Sequence, residues 1–245
     1  MNKNSRKVIF MTANELNIIM IAHKGYSGKY YENTESAFLG AAAHGSQGAE
    51  TDIRMTNDGV LVCHHNRDAV FKDGSTLVIA DSTYDELTAK PLRNTTNDDD
   101  VYICTFRRYL EIMRDNNMLC FVELKDSFTD EQLVSVFEMV KEVYDISKCL
   151  LQSFDFDNLV RIHGFFPELQ IMLTYGKSEK NYERCFDYGF SLDVDQFAVT
   201  EQMINDFHER NLQVAVWTCN EKEDFERCKK LGVEYIESDF FGGND

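Results

Sequence analysis

Residues 212–237, LQVAVWTCNEKEDFERCKKLGVEYIE, decide the fold. An apolar run, LQVAVWT (212–218), leads into a charged helical segment over 221–231 and then a second apolar run, VEYIE (233–237). Strands that alternate with helices imply a parallel sheet. The pattern repeats toward the N-terminus: helix 200–210, strand 190–196, a helix near 179–188, strand 169–174, helix 155–164, strand KCLLQSF (148–154), helix 129–145, strand MLCFVELK (118–125) and helix 105–117. Before these come strand NIIMIAH (17–23), helix ENTESAFLGAAAHG (32–45) and strand GAETDIRM (48–55). Asn33 or Thr34 caps that first helix and Gly45 stands near its end. GVLVCHH (59–65) follows as a short strand or hairpin arm.

Residues 67–100 are polar and irregular, with one short helix at TYDELTA, and read as an insertion after the second strand. About eight βα units in 245 residues match a (β/α)8 TIM barrel, expected as a single domain over 1–245. An open doubly wound sheet is the alternative. It would more often carry G-x-G-x-x-G after its first strand, whereas HKGYSGKYYENT has two glycines and no such fingerprint.

Composition narrows the function. A formal charge of −17 repels phosphate backbones, so nucleic acid is not an expected partner. The seven cysteines form no C-x-x-C and no zinc spacing, and read as buried thiols in a reducing compartment. No apolar stretch reaches the roughly 20 residues needed to span a bilayer. The apolar runs of the first 25 residues are interrupted by Asn14, Glu15 and Asn17, unlike a signal peptide, and a cytoplasmic location is expected. Nothing speaks to the oligomeric state.

In a parallel barrel the active site lies at the C-terminal strand ends. Several strands end in polar groups: His23, Glu50 with Asp52, Glu123 with Lys125, Gln152-Ser153-Phe154, Trp217-Thr218 and Glu237-Ser238-Asp239. Side chains alternate along a strand, so Glu50 and Asp52 share one face while Thr51 and Ile53 take the other, and Glu123 shares a face with Lys125. Facing outward, these charges would meet apolar helix sides; facing inward, they converge at the mouth. Three clustered carboxylates need charge compensation, and with no thiolate among them the fitting ion is hard: Mg²⁺, Ca²⁺ or Mn²⁺. His23 and His65 at the same mouth suit general acid/base catalysis near neutral pH. His64, in the opposite strand phase, is the weaker candidate, and His44, His163 and His208 fall in helical segments. Glu32 reads as opening a helix, where a carboxylate favours the dipole.

IAHKG, ENTESAF, GAETDIRMTNDGVLVCHHN, FVELK, LLQSFD, VAVWTCNE and GVEYIESD occur in that order across about residues 19–240. In these motifs the sequence resembles the glycerophosphodiester phosphodiesterase family. The resemblance implies a barrel that hydrolyses a small-molecule glycerophosphodiester to glycerol 3-phosphate and an alcohol, with one divalent cation. It places the acid/base pair on His23 and His65, with His23 suggested as base, and the metal ligands on Glu50, Asp52 and Glu123. The family lysine falls on Lys125, and the 67–100 segment falls where the family carries its insertion, often a wall of the substrate site. Lys24 would add positive charge at the phosphate, and Phe154 and Trp217 would form apolar walls on the alcohol side. Three positions depart from the family pattern. His23-Lys24 replaces His-Arg, giving a mobile point charge in place of a fixed fork. His65-Asn66 replaces His-Asp, removing a charge beside the imidazole. Ser238-Asp239 replaces Thr-Asp. A phospholipase-D-like barrel acting on lysophospholipids and a non-catalytic phosphodiester-binding barrel are the alternatives.

Overall fold

The computed structural model describes residues 18–240. The leader reading of the first residues, Asn17 and the ends of the expected 1–245 domain lie outside them. Eight parallel strands close into a barrel: β1 (Ile19–Ala22), β2 (Gly48–Met55), then, beyond an excursion, β7 (Leu119–Leu124), β8 (Cys149–Ser153), β9 (Gln170–Tyr175), β10 (Ser191–Asp195), β11 (Val214–Trp217) and β12 (Tyr235–Ser238). Closure is shown by β1, which pairs in parallel with both β2 and β12. Helices α1 (Glu35–Ala43), α3 (Phe106–Asp115), α4 (Asp130–Val143), α5 (Phe156–Phe165), α6 (Glu201–His208) and α7 (Lys222–Leu231) cover the outside. The (β/α)8 expectation holds and the open sheet is excluded.

The excursion between β2 and α3 contains β3 (Leu61–Cys63), β4 (Asp68–Val70), β5 (Thr76–Val78), α2 (Tyr84–Thr88) and β6 (Cys104–Thr105). It is more ordered than its polar sequence suggests. β3 pairs antiparallel with β2 and with β6, β4 and β5 form a hairpin, and Val62, Ala69, Phe71, Ile79, Leu87 and Leu92 bury a small core of their own. Two further expectations need correction. The helix near 179–188 is a short 3₁₀ run, Tyr182–Asp187. Asn181, left-handed at φ 74°, delays its start and Gly189, at φ 70°, follows it, so the segment is too short for more. Glu32 does not open a helix. Asn33 at φ 55° cannot be helical, and Thr34 caps α1 by accepting from the Ala37 N–H.

The barrel interior follows period-two alternation. Ile21, Phe121, Leu150, Met172, Ala215 and Tyr235 form an apolar plug. Two residues further along the same strands stand His23, Glu123, Gln152, Thr174, Trp217 and Glu237. The chain therefore stacks a polar layer directly on an apolar one, toward the strand ends. Burying each large apolar side chain of the plug contributes roughly 1.5–3 kcal/mol, which helps offset the cost of the charged layer above. The alternate residues, such as Ala49, Ile53, Val122, Leu151 and Val216, pack outward in the main core beneath the helices.

Candidate active site

Glu50, Asp52 and Glu123 meet at the floor of the mouth. One oxygen from each lies within 4.8 Å of the other two. The register explains this, since Asp52 is paired with Glu123 across β2 and β7. Lys125 Nζ is 2.9 Å from Asp52 Oδ1 and 2.7 Å from Glu123 Oε1. Burial works against the charged form of Lys125, but Asp52 and Glu123 hold its pKa above the usual lysine value. Burial also raises the Asp52 carboxyl, yet Lys125, Lys24 and His65 outweigh it and bring the group below its ordinary range. Glu50 goes the other way: burial, then Asp52 and Glu237, push it well up. Its Oε2 accepts from the Lys24 backbone N–H at 2.8 Å, while its buried Oε1 has no hydrogen-bond partner among the described residues.

Two more residues join the acidic layer: Asp193, which the sequence reading did not name, and Glu237, which it named only as a polar strand end. Asp193, on β10, and Glu237, on β12, are fully buried, and both are pushed well up, first by burial and then by neighbouring carboxylates. Glu237 accepts from Gln152 Nε2 at 2.7 Å. The signal for Asp193 was present: SLDVD repeats the acid-x-acid spacing of Glu50 and Asp52. Five carboxyl groups thus face two lysines, Lys24 and Lys125, and the crowding that pushes Glu50, Asp193 and Glu237 up is what a divalent cation would relieve. The donor set is all oxygen, as a hard ion requires, and the orphaned Glu50 oxygen offers a free ligand position. His23, Glu50 and Glu237 form a second group with ligand atoms within 4.8 Å of one another.

Asn33 reaches back from the loop after β1. Its Nδ2 donates to Asp52 Oδ2 at 2.7 Å, and its Oδ1 accepts from Thr51 Oγ1 at 2.8 Å and from the Asp52 N–H. Asparagine tolerates the left-handed backbone this needs.

His23 ends β1. Its Nδ1 sits 2.7 Å from Asp239 Oδ1, just past β12. Ser27 Oγ donates to the same oxygen at 2.8 Å and Asn220 Nδ2 to the other at 2.7 Å. Burial tends to raise the Asp239 carboxyl, but the bond to His23 and these donors bring it down to about 2. His65 lies beyond β3 and is supported differently. Its Nδ1 lies 3.0 Å from Asn66 Oδ1, and Arg54 fixes its carbonyl through Nε and Nη2. Burial lowers its pKa. His64 turns away, buried, with Nδ1 2.9 Å from the Asn66 carbonyl.

Above the floor lies a cavity of about 260 Å³. Seven of the nine sequence-derived candidates line it, namely His23, Lys24, His65, Glu123, Lys125, Phe154 and Trp217. The other two, Glu50 and Asp52, complete the floor with Glu123. Phe154 and Trp217 meet edge to face, ring centroids 6.0 Å apart, and the buried Trp217 Nε1–H has no acceptor among the described residues. That wall therefore offers a donor as well as apolar faces.

A model of the glycerophosphoryl diester phosphodiesterase family matches residues 23–242. The chain belongs to that family. It is 27% identical to a glycerophosphodiester phosphodiesterase of Caldanaerobacter subterraneus subsp. tengcongensis, over 90% of this chain and 93% of that relative. It is 24% identical to one of Bacillus altitudinis, over 90% and 94%. Among solved structures it is similar to a glycerophosphodiester phosphodiesterase of Thermotoga maritima (26% identity, TM-score 0.72, 92% of this chain and 96% of that one). The fold is also shared with an Oleispira antarctica phosphodiesterase in complex with its product sn-glycerol-3-phosphate (21% identity, TM-score 0.80, 90% and 92%). No helix among the described residues is long and apolar enough to cross a membrane, and all seven cysteines are buried and unbridged.

Proposed function

We propose that this chain, in a single barrel domain carrying the 67–100 insertion, hydrolyses glycerophosphodiesters to glycerol 3-phosphate and an alcohol with a divalent cation and a two-histidine proton relay. The enzyme class, glycerophosphodiester phosphodiesterase, follows from the family and fold. The observation that carries the mechanism is the shared cavity: His23 and His65 both open onto it, directly above Glu50, Asp52 and Glu123.

Glu50, Asp52 and Glu123 would hold the cation. When bound, Mg²⁺, Ca²⁺ or Mn²⁺ supplies Lewis-acid charge to a phosphate oxygen. Lys125, kept cationic by its two carboxylates, and Lys24, whose pKa Asp52 and Glu32 raise against burial, add positive charge where the transition state gathers negative charge. Asp239 fixes the His23 ring through Nδ1, which leaves Nε2 to take the proton from the attacker, either water or the neighbouring glycerol hydroxyl by way of a cyclic phosphate that water then opens. With a carboxyl at about 2, Asp239 stays ionised and steadies the imidazolium that forms. His65 then delivers a proton to the leaving alkoxide. Phe154 and Trp217, expected as walls on the alcohol side, would instead line the cavity around the reacting phosphodiester.

The test is release of glycerol 3-phosphate from glycerophosphocholine, glycerophosphoethanolamine, glycerophosphoglycerol and glycerophosphoinositol, with Mg²⁺, with Ca²⁺ and with EDTA. Metal-dependent product is expected. Product undiminished by EDTA would remove the cation from the mechanism. Silence on all four with turnover of a lysophospholipid would transfer the site to the phospholipase-D-like reaction.

A further inference from the structure

A second depression of about 420 Å³ adjoins the catalytic cavity and shares His23 and Lys24 with it. One side is the loop after β1, with Tyr31 and Glu32. The other comes from the excursion, with Asn66, Thr95 and Thr96. Its chemistry differs from the Phe154–Trp217 wall. Among the described residues no hydrogen bond uses the hydroxyls of Tyr31, Thr95 or Thr96, or the amide nitrogen of Asn66, and Glu32 engages only one of its oxygens, with Lys24 Nζ at 3.2 Å. The groove therefore presents three hydroxyls, an amide donor and a carboxylate oxygen with open hydrogen-bonding capacity.

We infer that this groove binds the alcohol half of the diester and selects a hydroxylated alcohol, such as glycerol or inositol, over choline. The inference rests on the proposed diesterase reading and deepens it. Hydroxyls donate and accept, which matches a lining that does both. A quaternary ammonium has no donor to offer. It is held by aromatic faces or free carboxylates, and here Tyr31 is the one ring besides His23, Glu32 is paired with Lys24, and Asp239 is engaged by His23, Ser27 and Asn220. Position supports the assignment: the groove meets the catalytic cavity at His23 and Lys24, so a diester lying over the carboxylate floor can extend its second arm past these residues. The groove exists because the excursion folds around its own core and sets the 94–96 loop opposite Tyr31, which itself packs against that core.

The experiment compares kcat/KM for glycerophosphoinositol, glycerophosphoglycerol and glycerophosphocholine in the unaltered protein and in Tyr31→Phe, Thr96→Val and the combined Tyr31→Phe/Thr95→Val/Thr96→Val variant. Thr96→Ser serves as the conservative control. Each neutral hydrogen bond lost should cost a few-fold, about tenfold or more for the combined variant, on the two hydroxylated substrates. The choline ester should stay within about twofold, and serine should restore what valine removes. Equal losses on all three substrates would place the common glycerol phosphate, or only structure, in the groove and overturn the inference. Unchanged ratios in an active enzyme would overturn it as well. An unaltered protein inactive on every diester would instead defeat the diesterase reading beneath it.

Discussion

The two histidines of the mouth are supported in opposite ways. His23 directly follows a barrel strand, and its ring is held by the ionised Asp239, itself fixed by Ser27 and Asn220. His65 stands on the excursion, and its ring is held by the neutral, exposed Asn66. The first support is built by barrel closure, since His23 and Asp239 directly follow the neighbouring strands β1 and β12. The second is built by adjacent residues. A carboxylate steadies a proton on its imidazole; an amide orients the ring and leaves its charge uncompensated. The chain thus places its stiffest electrostatic support under one histidine, and burial lowers the pKa of the other.

Both sides of this comparison stand on the carboxylate floor, so the largest effect comes from removing it. Glu50→Gln should lower kcat/KM on glycerophosphodiesters by about a thousandfold and abolish the response to added cation in the glycerol 3-phosphate assay. Retained activity would separate the histidines from the floor. The comparison itself is tested next. Asp239→Asn, which keeps the shape and removes the charge, should cost about 10- to 100-fold in kcat, in the range of losses seen when an orienting partner is removed. Asn66→Ala should cost no more than about tenfold. Equal losses would show that the two supports do the same work.

Asn66→Asp sharpens the comparison by making the two sides alike. Burial lowers the His65 pKa, so an acid at this position loses its proton at a lower pH than an ordinary histidine. A neighbouring carboxylate raises that pKa, so the alkaline limb of the kcat–pH profile should move upward. Movement of the acidic limb instead would make His65 the base. The smallest effect is on stability. The Asp239 pKa is depressed in the fold, to about 2 from 3.8. Its contribution is complete above the unfolded value and fades as pH falls through the folded one. Acid melting between about pH 4 and 2 should therefore be steeper for the unaltered protein than for Asp239→Asn; parallel curves would contradict the depressed value.

Much of the site was legible because it obeys local rules. Period-two alternation set Glu50 and Asp52 on one face and Glu123 with Lys125 on another, and the eight-fold repeat made those faces interior. His23 and His65 followed from strand ends. What escaped the sequence depends on contacts between distant segments. Nothing near Asn33 announces that its side chain holds Asp52, because the link needs a left-handed residue in a loop that folds back on β2. The His23–Asp239 pair joins residues 216 apart through closure of the barrel. The excursion looked irregular because its apolar residues, Phe71, Ile79, Leu87 and Leu92, are spaced too widely for any single period, yet they meet in one small core. Glu32 was misplaced for a local reason: the helix begins only after Thr34, and the carboxylate pairs with Lys24 instead.

The most direct measurement of the two-histidine account uses a substrate whose leaving group needs no proton. Turnover of glycerophospho-p-nitrophenol and of glycerophosphoglycerol would be compared in the unaltered enzyme, His23→Ala and His65→Ala. The account predicts that His65→Ala loses about 10²–10⁴-fold on the glycerol ester but keeps most of its rate on the nitrophenyl ester, while His23→Ala loses both. Rescue of His23→Ala rather than His65→Ala would reverse the roles, and full activity of either variant on the glycerol ester would contradict the relay.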